Sequence, residues 1–150
     1  MSWTHFETAA PALAAEGRRL LSRAEAGGAL LATVRDDLAP RIHPIDVSIV
    51  DGRLFAFILS GPKRTDLERD GRYAMHTHLD PAAPNEFAVR GHAHLVTDPT
   101  VRATVAAGWS FEPDDAFGLL EFDVESALLG VRGADEWPPT YTRWRAASEA

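Results

Sequence analysis

The residues of this chain best suited to chemistry sit in one short run, Leu59-Ser60-Gly61-Pro62-Lys63-Arg64, where an apolar stretch gives way to a polar one. Ser60 and Gly61 read as a turn. Pro62 reads as the first residue of a helix, because its missing N–H and fixed φ suit that position. The opening amides of a helix have no partner within it and point outward with the positive end of the dipole. Two cations at that end, Lys63 and Arg64, disfavour an isolated helix by about 0.3–1 kcal/mol each. A bound phosphate would offset this. Solvated side chains paired with Asp66, Glu68 or Asp70 would do so equally well.

A second run, Pro40-Arg41-Ile42-His43-Pro44-Ile45-Asp46, alternates as a strand does, with Arg41, His43 and Ile45 on one face. Pro44 cannot donate to a ladder, so it marks an edge, a bulge or a place where pairing stops. Nearby backbone groups are then open to a ligand, or the run is an ordinary edge strand with Arg41 and His43 exposed. His76 with His78, and His92 with His94, are spaced to share faces of their strands. Pairing of the two strands around residue 82 or 83 would hold the two pairs roughly 10 Å or more apart, at ~3.3 Å per residue. Two histidines alone rarely hold a metal, so no metal site is expected, and His78 is the one read as lining a pocket. Trp109 and Phe111 follow a helix end and read as core or dimer-interface packing in preference to a cofactor stack. Asp114, Asp115, Glu121 and Asp123 show no spacing that marks an acid/base pair. No residue is assigned as a catalytic acid, base or nucleophile.

The elements that must position these residues belong to a 150-residue chain, the size of one domain, spanning 1–150. With no cysteine there is no disulfide, thiolate nucleophile or sulfur-ligated metal. Fifteen basic against 22 acidic residues give a net charge of −7, which opposes nucleic acid and anionic membranes. The N-terminal residues lack the basic and apolar regions of a signal peptide, and no apolar run reaches the ~20 residues of a membrane span. A cytoplasmic location is expected.

Polar residues shortly before prolines, at Thr8/Pro11, Ser60/Pro62 and Asp98/Pro99, predict helix starts. The helices are expected at about 10–25 (Leu13, Leu20, Leu21 and Ala24 buried, Gly27-Gly28 as the stop), 62–70 and 99–107. Strands are expected at 29–36, 41–50, 53–59, 72–79, 86–97 and 117–131. Asp51-Gly52 is the strongest hairpin signal. Six strands with so few crossover helices argue against a doubly wound sheet. The pattern predicts a mainly β fold, a six-stranded antiparallel split barrel.

The segments Ala32-Thr-Val-Arg35, Pro40-Arg-Ile-His-Pro44, Asp51-Gly-Arg-Leu-Phe55, Lys63-x-x-x-Leu67-x-x-Asp70 and Gly91 occur in an order that resembles the pyridoxamine 5′-phosphate oxidase-like family. These are split-barrel proteins that bind flavin mononucleotide (FMN), and the resemblance covers about residues 10–131. It implies that Lys63 meets the cofactor phosphate, with Ser60 at the preceding turn and Arg41 nearby; Arg64, beside Lys63 in the first helical turn, is read as cofactor-binding with them. It implies that His43, Pro44 and Ile45 run beside the isoalloxazine ring and that Phe57, Ile58 and Leu59 form the adjoining strand. Trp144 resembles an aromatic residue often found near the C-terminus. Family members are homodimers with cofactor sites between subunits and small-molecule substrates. The expectation is an FMN-dependent oxidoreductase, with a deazaflavin-dependent reductase or a non-catalytic flavin-binding, haem-binding or cofactor-free protein as alternatives. The ending Tyr141-Thr-Arg-Trp-Arg145 lacks the arginine–histidine substrate motif, so vitamin B6 oxidation is not expected.

Overall fold

A computed structural model describes residues 1–23 and 28–148. The helices are α1 (Trp3–Ala9), α2 (Pro11–Leu21), α3 (Pro62–Arg69) and α4 (Pro99–Ala107). The strands are β1 (Gly28–Val34), β2 (Pro40–Asp46), β3 (Ser48–Val50), β4 (Arg53–Leu59), β5 (Arg72–Thr77), β6 (Glu86–Leu95), β7 (Phe117–Phe122), β8 (Ser126–Val131) and β9 (Thr140–Arg145). All pairings are antiparallel, along the path β2-β1-β5-β6-β7-β4-β3, with β8 joining β6 to β9. The fold is mainly β, a curled sheet of split-barrel type.

One long strand organises the split. β6 pairs with β5 along one edge, while its other edge is shared by β8 at residues 86–90 and β7 at residues 93–95. Between β7 and β8 the chain crosses directly over Gly91, where an added Cβ would lie 2.0 Å from the Asp123 carbonyl oxygen. The crossing is held by Asp123 N donating to His92 O (2.9 Å) and Glu125 N to Arg90 O (2.8 Å). The run expected as one strand, 117–131, is therefore two. The run 41–50 also breaks, at Val47, and Thr140–Arg145 adds an edge strand, so the described residues hold nine strands rather than six. β2 and β3 lie at opposite ends of the strand path yet are separated by one residue, so the covalent link itself forces the sheet to curl.

The hairpin at Asp51-Gly52 forms as expected, with φ of 49° and 70°, the positive pair that a two-residue turn matching the strand twist requires. Asp98 caps α4 by accepting from Thr100 N and Val101 N. Ser60 does not cap α3; Gly61 holds that position with no side-chain bond. Thr8 caps nothing either, because it lies inside α1, which carries the fully buried Trp3 and Phe6 and has no counterpart among the expected helices. Leu13, Leu20 and Leu21 of α2 are buried as expected, while Ala24 and Gly27 lie outside the described residues. Both helices pack on the core with Leu31, Met75, Phe87 and Val89. No helix among the described residues is long and apolar enough to cross a membrane.

Candidate functional site

The curl brings the end of β2 against β4 and the start of α3, and a cavity of about 420 Å³ opens there. One wall is Pro44, Ile45 and Asp46; the floor is Phe57, Ile58 and Leu59; Lys63 projects from the first turn of α3. Gly28 and His78 complete the strand side, and Trp109, Phe111 and Phe117 close the remaining wall. Lys63 Nζ donates to the Pro44 carbonyl at 3.4 Å, and among the described residues no carboxylate pairs with it. The first intrahelical bond of α3 is Thr65 N to Gly61 O, which leaves the Lys63 and Arg64 amides without helical partners.

The other residues expected at the site are placed differently. Arg41 Nε donates to Asp66 (2.9 Å), a buried carboxylate that also accepts from Thr33 Oγ1 (2.7 Å) and Arg69 Nη2 (3.2 Å). Burial alone would raise the Asp66 pKa, but these three donors outweigh it and hold the carboxyl below its ordinary value. Arg64 pairs with Glu68 (3.0 Å) and reaches the Ala116 carbonyl (3.4 Å), across the face that Gly118 leaves open. Ser60 is exposed, its amide donating to Ala116 O. His43 shares the inward face of β2 with Arg41 and Ile45, and its Nε2 is sealed from solvent without a partner among the described residues. Its pKa is depressed, first by burial and then by the charges of Lys63 and Arg41.

Trp144 lies 5.0 Å from the Phe6 ring and lines a separate groove of about 810 Å³ on the outer face of the sheet. The structure thus gathers Pro44, Ile45, Phe57, Ile58, Leu59, Lys63 and His78 around one cavity, and leaves Arg41, His43, Ser60, Arg64 and Trp144 out of its lining. The histidines separate onto individual carboxylates: His76 with Glu86, His92 with Glu125 and His94 with Glu121. The sequence reading missed Asp46, Phe117 and above all the Trp109–Phe111 pair as lining residues. The signal available was two aromatics close together just after a helix end.

No family model matches the sequence, and no curated protein matches it. Solved structures do. General Stress Protein 26 from Bacillus anthracis is 18% identical, with a TM-score of 0.61 over 86% of this chain and 97% of that one. A protein related to general stress protein 26, of the pyridoxinephosphate oxidase family, from Clostridium acetobutylicum is 12% identical, with a TM-score of 0.61 over 87% and 92%. A heme binding protein from Mycobacterium smegmatis is 16% identical, with a TM-score of 0.63 over 85% of this chain but only 57% of its own length. The fold is that of the pyridoxamine 5′-phosphate oxidase-like split barrels.

Proposed function

We propose that this chain is an FMN-binding oxidoreductase that works as a homodimer on a small-molecule substrate. The observation that carries the reading is the pairing, in one cavity, of an apolar strand floor with Lys63 and the open amides of α3. Lys63 and those amides would hold the phosphate, since a helix N-terminus favours an anion. The backbone of Pro44–Asp46 and the residues Phe57–Leu59 would flank the ring. Flavin, when bound, supplies one- and two-electron transfer, and the protein supplies binding, orientation and exclusion of water. Arg41, committed to Asp66, is not needed for the phosphate. The exposed apolar sheet face, with Ile42 65% exposed, supports a second copy docking there.

The test is titration of the purified full chain with FMN, followed by visible absorption and light scattering. Stoichiometric binding to a dimer supports the reading; a monomer that takes up no flavin contradicts it. A haem-binding role is the second reading. It draws on the groove that Arg90, Arg143 and Arg145 line beside His76, which suits a flat dianion, and on the likeness to the mycobacterial haem binder. A Soret band on haem titration, absent in His76→Ala, would favour it.

A further inference from the structure

The aromatic wall of the cavity is not accounted for by phosphate anchoring. Beyond Gly108, which ends α4, Trp109 and Phe111 line the same cavity as Lys63. Their rings form an unbroken series with the strands on either side. Phe57 of the floor meets Trp109 edge-on at 5.1 Å, Trp109 meets Phe111 at 6.5 Å, and Phe111 meets Phe117 at 5.1 Å. Packing alone would bury such rings, as it does Phe55 at 1% and Phe122 at 0% exposure. Phe111 instead stays 41% exposed, and Trp109 is only partly buried. Trp109 Nε1 has no acceptor among the described residues, so packing between rings, not hydrogen bonding, sets its position.

The cavity lining therefore offers two kinds of surface. One is polar, with the Lys63 ammonium and the Asp46 carboxylate; the other is the connected aromatic surface, whose Phe57 ring is backed by the Arg102 guanidinium at 5.1 Å. A ligand matched to both is a flat, polarisable ring system carrying an anionic group on a flexible arm.

We propose that Trp109 and Phe111 are the residues that recognise the ligand's ring and set which ring systems are accepted, independently of the phosphate held at Lys63. The inference rests on the flavin reading and deepens it. Removing either ring should weaken affinity about 2- to 12-fold, the usual worth of an aromatic pair.

The experiment titrates the full-length chain with FMN and with riboflavin, which carries the same ring without the phosphate. Trp109→Leu and Phe111→Leu are each expected to weaken both ligands by a similar factor. Lys63→Ala is expected to weaken FMN alone. Trp109→Phe, which keeps an aromatic face, should restore most of the parent affinity, and unchanged thermal melting confirms that each variant is folded. FMN binding that depends on Lys63 but ignores both aromatic variants overturns this proposal and leaves the flavin assignment standing. Binding of neither flavin by the unaltered chain overturns both.

Discussion

The Lys63 ammonium donates to the carbonyl oxygen of Pro44 at 3.4 Å, clasping the first turn of α3 to an edge strand. The bond is long and made to a neutral acceptor, so it holds the cation at the cavity wall without neutralising it. A charge-assisted bond from this ammonium to a phosphate is worth about 1.5–3 kcal/mol. Lys63→Ala is therefore expected to raise the FMN dissociation constant about 10- to 150-fold in a fluorescence titration. An unchanged constant would remove Lys63 from the site.

Asp66 joins β1, β2 and α3 through Thr33, Arg41 and Arg69. Asp66→Ala deletes all three bonds and leaves the Arg41 guanidinium, 28% exposed, without its carboxylate. The expected loss is about 2–4 kcal/mol in urea unfolding at neutral pH. Because the folded pKa is depressed, this contribution is present above the ordinary aspartate value and fades as pH falls through the folded one. The gap between variant and parent should accordingly shrink in acid, and a gap that widened would contradict the assignment.

His43 predicts a pH effect at milder acidity. Its folded pKa lies below the ordinary histidine value of about 6.5, so between the two values the unfolded chain binds more protons. Stability from this residue is complete above that ordinary value and declines as pH drops below it. Urea midpoints measured at neutral and mildly acidic pH should fall less steeply in His43→Gln than in the parent chain.

Gly91 is required by the segment that crosses it between β7 and β8 and not by its own backbone angles. A methyl group there would meet the Asp123 carbonyl oxygen at 2.0 Å, and that oxygen also accepts from Tyr73 Oη at 2.9 Å. Gly91→Ala should destabilise the fold by more than about 3 kcal/mol. Calorimetry showing a melting temperature within a degree or two of the parent would refute this.

Local physics was legible from the residues alone. Asp51-Gly52 dictates its hairpin because few other pairs accept two positive φ angles. Asp98-Pro99 dictates the start of α4, and Pro62 that of α3, through chain chemistry that needs no distant partner. Lys63 stood out because a cation at a helix N-terminus calls for an explanation. What the sequence could not settle was decided by contacts between residues far apart in the chain. Arg41 and Lys63 are both basic and both expected at the phosphate, but a buried Asp66 captures one and not the other. The run 117–131 reads as continuous strand, and only the demand of β6 for two partners along one edge breaks it. Trp109 and Phe111 read as packing because hydrophobicity marks a residue for contact without saying with what. The curl of the sheet turned that contact toward the cavity.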